Sequence, residues 1–470
     1  MYQSFIGLEI HIHLLADTKV FCGCKAAFGD KPNTNICPVC MGYPGVLPVL
    51  NEKAVSMAYM VCMALNCKLN EKAVFERKNY YYPDLPKNYQ ITQFEYPSGI
   101  DGYMDIKIGG EKKRIRIHDV HLEEDAGKMI HGGGKSRIDY NRTGTPLLEI
   151  VTEPDFEKGE EAEIFIQDFR RLVRYLGVCD GNMEEGSLRC DANVSVNLRG
   201  KGLGRKAEVK NLNSSRFVRK ALDYEIIRQK KVLSAGETVV QETRLWNEAR
   251  SLTESMRSKE EAHDYRYFPE PDLPPFYPGK DFLESVKALL VELPARRKER
   301  FLREYNLSDA QADFLCEEKT TADYFEETIK AGADPVKAAL WLSSDVKKIL
   351  NREKIGLSGS PLSPGRLAEL ISLINENRIS GKIAKEVLEI VFKEDKNPVE
   401  IIKECGMEQV ADKGELEAIV KKVMDDNPHV VESIKNGAEK QIGFLMGQIM
   451  KATGGKADPA LAQKIIREKI

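Results

Sequence analysis

The stretch FIGLEIHIHL, residues 5–14, alternates from Leu8 onward between aliphatic and polar side chains. Successive side chains of an extended chain point to opposite faces. Leu8, Ile10, Ile12 and Leu14 therefore share one face, and Glu9, His11 and His13 the other. RCDANVSVNL (189–198) repeats the pattern, with Asp191, Asn193 and Ser195 opposite Ala192, Val194 and Val196. KRIRIHDVHLEED and SRIDYNR flank the turn HGGGK and read as a hairpin. Two segments switch to the helical period: GEEAEIFIQDFRRLVRYLGV, ending at Gly177, and SSRFVRKALDYEIIRQKKVLSAG, with Ser214 or Ser215 as its cap and Gly236 near its end. This order predicts an α+β fold on an antiparallel sheet with flanking helices.

At 470 residues the chain is too long for one core, and two or three domains are expected. The proline-dense FPEPDLPPFYPG (268–279) fits neither a regular helix nor a central strand, and it closes the first domain. Beyond it the texture is helical, as in SPGRLAELISLINE and SGKIAKEVLEIVF, with a second break near Lys393–Asn397. The expected domains are 1–292, an all-α domain at 293–398 and a small all-α tail at 399–470. No apolar run approaches the roughly 18–20 residues of a membrane helix. The N-terminus lacks the basic and apolar regions of a secretory signal, so the expected location is the cytoplasm.

FCGCKAAFGDKPNTNICPVC (21–40) holds Cys22, Cys24, Cys37 and Cys40. In a reducing compartment a stable disulfide is not expected. Cys-x-Cys followed by Cys-x-x-Cys suits tetrahedral zinc, and an iron–sulfur cluster uses the same ligands. A closed four-thiolate site leaves no open position, so the metal would hold structure. This argues against a zinc-dependent hydrolase.

The formal net charge is −3, so any nucleic-acid contact must come from a local patch. Residues 440–470 offer one: Lys440, Lys451, Lys456, Lys464, Arg467 and Lys469 against Asp458 and Glu468. On its own such an excess also describes a solvated helix face.

Glu9 and His11, two residues apart, project from one side of a strand at a separation of roughly 7 Å. HLEEDAGK adds Glu123, Glu124 and Asp125, and EEGSLRCDAN adds Asp191. PLLEIVTEPD sets Glu149 in an apolar strand, where a carboxylate is costly unless paired or metal-bound. Such a set converging on one sheet suits magnesium, especially with substrate phosphates completing the shell; scattered on an open face, it would be solvated charge. RKNYYYPDLPKNYQITQ, DYNRTGTP and EVKNLNSS supply Lys78, Lys87, Arg142 and Lys210 for a nucleotide or a charged RNA end. GGGKS at 132–136 is no phosphate loop, because Met129 stands where the pattern needs glycine. No G-x-S-x-G elbow or convincing Ser–His–Asp grouping is present.

The blocks GLEIHIHL, YPGVLPVLN, RKNYYYPDLPKNYQITQ, HLEEDAGK, DYNRTGTPLLEIVTEPD, MEEGSLRCDANVSV, EVKNLNS and HDYRYFPEPDLPP, with the C-terminal GFLMGQIMKATGGKADP, resemble the B-subunit family of the tRNA-dependent amidotransferases. This GatB/GatE family includes the archaeal E subunit, whose extra inserted domain has no room here. The resemblance implies a cradle-shaped, kinase-like α+β domain, a helical domain and a tRNA-binding tail. It implies ATP-dependent phosphorylation of the side-chain carboxylate of Glu-tRNA(Gln) or Asp-tRNA(Asn). Ammonia would come from a partner amidase, the A subunit, while a small C subunit would complete a heterotrimer. The resemblance assigns magnesium to Glu9, His11, Glu124, Glu149 and Asp191, with Asp125 and Glu184 in reserve. Lys78, Lys87, Arg142, Arg189 and Lys210 resemble residues that cradle substrate and ATP. The tail implies tRNA contact through Lys451, Lys456, Lys464 and Arg467. Some relatives keep the four-cysteine knuckle and others lack it, so zinc is compatible with the fold and unnecessary to the reaction. His13 is given no ligand role. The alternative reading is a tRNA-binding scaffold without catalysis of its own.

Overall fold

The computed structural model describes residues 1–258, 264–407, 413–453, 457 and 459–470. They form two compact units, Met1–Leu293 and Pro294–Ile470.

In the first unit the elements are β1 (Tyr2–His13), α1 (Glu52–Ala64), β2 (Lys68–Leu69), β3 (Glu76–Asn79), β4 (Tyr89–Thr92), β5 (Gly99–Ile108), β6 (Glu111–Glu124), β7 (Lys128–Gly132), β8 (Lys135–Asp139), β9 (Pro146–Thr152), α2 (Gly159–Tyr175), β10 (Leu188–Leu198), β11 (Lys206–Lys210), α3 (Ser215–Ser234), β12 (Glu242–Asn247), β13 (Leu252–Ser258), β14 (Phe268–Pro269) and α4 (Lys280–Ala288). Among the described residues nine strands make one sheet, in the order β13-β12-β11-β10-β1-β9-β6-β5-β2. It is antiparallel except between β11 and β12, which run parallel because α3 returns the chain to the same end. The proline-dense segment contributes only the two-residue edge strand β14, in a small sheet with β3 and β4. There Arg77 makes two 2.7 Å bonds to the buried carboxylate of Glu270.

The alternation of β1 works as expected. Ile6, Leu8, Ile10 and Ile12 are buried and join Phe165 and Phe169 of α2 and Ala221 and Leu222 of α3 in one core. Each such aliphatic side chain contributes roughly 1.5–3 kcal/mol on leaving water. Helix α3 starts where Ser214 Oγ accepts the Phe217 amide at 3.2 Å. It packs on α2 closely enough that a Cβ on Gly159 would stand 2.6 Å from the Arg219 carbonyl oxygen.

The expected hairpin is smaller than its sequence suggests. The turn at Gly133 and Gly134, both with positive φ, joins β7 to β8, not β6 to β8. Strand β6 belongs to the main sheet between β5 and β9. Against β9 it carries a bulge: Ile117 pairs with Thr152 and Asp119 with Val151, leaving His118 extra. Ile115 and Ile117 are buried before the bulge, Val120 and Leu122 after it, so the strand changes phase there. The bulge turns Asp119, His121 and Glu123 onto the polar face.

The second unit is all helix: α5 (Pro294–Glu304), α6 (Asp309–Cys316), α7 (Lys319–Lys330), α8 (Pro335–Trp341), α9 (Lys347–Glu353), α10 (Pro364–Asn375), α11 (Gly381–Glu394), α12 (Pro398–Glu404), α13 (Lys413–Asp425), α14 (Pro428–Lys435), α15 (Ile442–Ala452) and α16 (Pro459–Lys469). It holds two separate cores, one spanning Phe301 to Ile402 and one spanning Leu416 to Ile466.

Candidate active site

Register brings the polar residues of four strands together. Across β10, β1, β9 and β6, Arg189, His11, Glu149 and His121 stand opposite one another in a row. His11 Nε2 lies 3.2 Å and His121 Nε2 3.0 Å from Glu149 Oε2. His121 Nδ1 lies 2.7 Å from Asp119 Oδ1. Glu123 adds a buried carboxylate, with Thr92 Oγ1 donating to it at 3.1 Å.

Charge follows this geometry. Burial works against the charge of Glu149, but His121 and His11 outweigh it and hold the carboxyl well below its ordinary range. Burial opposes the charge of His121 too, yet Glu149 and Asp119 raise its pKa well above normal. Burial and then the charge of Glu149 raise Glu123. Glu9, whose Oε1 accepts from Asn193 Nδ2 at 2.7 Å, is raised by burial and by Glu149.

His11, Glu123 and Glu149 each offer one ligand atom, and these atoms lie within 4.8 Å of one another. One imidazole and two carboxylates make an oxygen-rich donor set that fits a hard divalent cation. Glu9 and Asp191 flank the trio, as cross-strand partners one step along β1 and β10. Lys210 Nζ reaches Asp191 Oδ2 at 2.6 Å and Glu208 Oε1 at 3.1 Å. Lys78 lies on the other flank, its Nζ 5.0 Å from the centre of the Tyr265 ring. Burial opposes its charge, but Glu123 and other anions keep its pKa raised.

Two predicted sets part from the trio. Asp125, buried, takes Arg189 Nη2 at 2.8 Å, His13 Nε2 at 2.6 Å and Arg142 Nε at 3.4 Å. Arg142 also donates to the carbonyls of Ala126 and Gly127. Arg189 Nε and Asn193 Oδ1 are buried without a hydrogen-bond partner among the described residues, which suits a polar ligand beside Asp191.

Glu124 corrects the grouping drawn from sequence. The strand turns it away from Glu123, and its carboxylate takes Lys87 Nζ and, at 2.9 Å, the Ile91 amide. It faces a cavity of about 130 Å³ that is also lined by Lys19, Phe21, Cys40 and Arg77. Glu123, which the sequence places among the candidate carboxylates but the resemblance does not assign to magnesium, is the one of the pair that meets His11 and Glu149; the broken alternation at His118–Asp119 signals it. Glu184 sits exposed on a turn.

The four cysteine Sγ atoms lie within 4.8 Å of one another. Tetrahedral zinc at 2.3 Å bonds needs sulfur atoms about 3.8 Å apart, so the set fits. The Cys37 amide donates to Cys40 Sγ at 3.2 Å, and the buried Lys19 Nζ lies 3.5 Å from the same sulfur. The hydrogen bond from Cys22, aided by these donors, lowers the Cys40 thiol to about 4. In the tail Lys451, Lys464 and Arg467 are exposed; Lys456 lies outside the described residues. Among the described residues no helix is long and apolar enough to cross a membrane.

A family model described as "GatB/GatE catalytic domain" matches residues 4–284, and one described as "GatB domain" matches residues 323–470. The chain is 49% identical to the B subunit of the aspartyl/glutamyl-tRNA(Asn/Gln) amidotransferase of Carboxydothermus hydrogenoformans, over 100% of this chain and 99% of that one. It is 50% identical to the protein of the same name from Thermodesulfovibrio yellowstonii, over 99% and 98%. For the Persephonella marina protein of that name the figure is 48%, over 99% of both. The chain therefore belongs to the family of aspartyl/glutamyl-tRNA(Asn/Gln) amidotransferase B subunits.

Proposed function

We propose that this chain activates the side-chain carboxylate of Glu-tRNA(Gln), Asp-tRNA(Asn) or both by ATP-dependent phosphorylation. Ammonia released by a partner amidase, the A subunit, in a complex that also holds a small C subunit, completes the amide. The observation that carries the reading is the convergence of His11, Glu123 and Glu149 on one open sheet face, between Lys78 and Lys210.

The chemistry calls for such a face. Direct displacement from a carboxylate would expel oxide. Attack of a carboxylate oxygen on the γ-phosphorus instead breaks the bond to the β-phosphate oxygen, and ADP leaves. Ammonia then adds to the acyl carbon, the bond to phosphate oxygen breaks, and phosphate departs with the proton that the nitrogen gives up. Both reactants in the first step are anions, so charge neutralisation and in-line positioning dominate. His11, Glu123 and Glu149 would hold magnesium, which would supply that neutralisation. Lys210, Lys78 and Arg189 offer cationic groups that would orient the anionic oxygens of the substrates. Asp125 holds Arg189 and Arg142 in place. Cys22, Cys24, Cys37 and Cys40 would hold zinc, which would tie down the segment after β1. Exposed Lys451, Lys464 and Arg467 serve the tRNA backbone, with little base preference.

The test is ATP hydrolysis by the reconstituted complex with ammonium supplied, so that glutaminase activity is not needed. Wild type should consume ATP only with misacylated tRNA and magnesium, and Glu149→Gln should lose this while still binding tRNA. Full activity in the variant would return the chain to a tRNA-binding scaffold.

A further inference from the structure

We propose that Asp119 and His121 form a positioning arm that holds Glu149 in its cation-binding orientation. The inference rests on the cation reading of His11, Glu123 and Glu149.

Glu149 lies between two imidazoles supplied by its neighbours in the sheet, His11 on β1 and His121 on β6. Both point Nε2 at the same oxygen, Oε2. A ligand histidine must offer a nitrogen lone pair to the cation, so His11 cannot both bind it and restrain Glu149 through Nε2. His121 is placed differently. Its two ring nitrogens are both taken by carboxylates, Asp119 at 2.7 Å and Glu149 at 3.0 Å. It can remain a donor to Glu149 whether or not the cation is bound. Asp119 is itself held from its other oxygen by His118 Nδ1 at 2.7 Å. The arm thus runs from the exposed His118 to the half-buried carboxylate of Glu149.

The backbone supports the same reading. Without the extra residue at His118, the phase of Ile115 and Ile117 would continue. Asp119, His121 and Glu123 would then face the helix-packed core. One bulge therefore delivers a ligand, Glu123, and the arm that orients the other, Glu149. Bulges recur beside active sites because they re-aim side chains in this way. Glutamate has three rotatable side-chain bonds, and partners that fix a ligand carboxylate typically matter by about 10–100-fold in metal affinity.

The experiment measures Mn2+ binding to the full-length chain by electron paramagnetic resonance of the free ion, without turnover. His121→Asn, whose amide is too short to span both carboxylates, should weaken binding about tenfold or more. His121→Gln, which keeps a donor for Glu149, should stay within about threefold of wild type. Asp119→Ala should weaken binding several-fold in the wild-type background and add nothing in the His121→Gln background, a non-additivity that general loss of stability does not produce. Binding within about twofold of wild type by His121→Asn overturns the proposal. If that variant does not fold, Asp119→Ala decides by the same criterion. A wild-type chain that binds no Mn2+ overturns the cation reading itself, and the arm with it.

Discussion

Glu123 and Glu124 present their carboxylates to opposite sides of β6. Glu123 lies with His11 and Glu149 on the polar face, while Glu124 takes Lys87 and the Ile91 amide beside the cysteine knuckle. Two like residues, adjacent in the chain, therefore meet different partners. Glu123→Gln should weaken Mn2+ binding by about tenfold or more, because a neutral amide replaces a ligand oxygen. Glu124→Gln should leave the dissociation constant nearly unchanged. Titration calorimetry on both variants decides it, and the reverse ranking would restore Glu124 to the cation site.

The cysteine knuckle should carry one zinc per chain by elemental analysis. Cys37→Ser should lose it, and cobalt substitution should give the absorption of a tetrahedral thiolate site. Iron with acid-labile sulfide would instead mark a cluster. Loss of zinc should loosen the segment between β1 and α1, read as faster amide exchange there.

Glu326 in α7 receives Arg297 from α5 and, at 2.7 Å, Arg300 Nη1. Burial opposes its charge, but these hydrogen bonds outweigh it and lower its pKa. A carboxyl depressed in the folded state stabilises fully above its unfolded value of about 4.3, and that contribution is lost as pH falls through the folded one. Glu326→Gln should cost roughly 1–3 kcal/mol at pH 7, and its gap to wild type should close as pH falls below about 4. With Trp246→Phe in both chains, Trp341 fluorescence reports this unit in urea. A gap that persists at low pH would mean packing, not charge, holds the site.

Lys464→Gln with Arg467→Gln should weaken tRNA binding about equally across tRNA sequences. It should also reduce the slope of log K against log salt by about two, one for each phosphate no longer neutralised. An unchanged slope would make this face simple solvated charge.

What the chain determines locally was legible in its residues. Alternation in β1 and β10 assigned Glu9, His11 and Asp191 to a polar face, because side-chain direction in a strand is a property of the backbone itself. The Ser214 cap, the stop at Gly177 and the cysteine spacing were equally local. The tertiary structure decided which strands became neighbours. Glu9 faces Asp191, and His11 stands between Arg189 and Glu149, across well over a hundred residues of chain. Such pairings are set by burying one continuous apolar face against α2 and α3, a requirement no single segment states. The same requirement placed the bulge at His118 and thereby set Glu123, not Glu124, on the polar face. Local pattern supplied the donors, and long-range packing chose which of them meet.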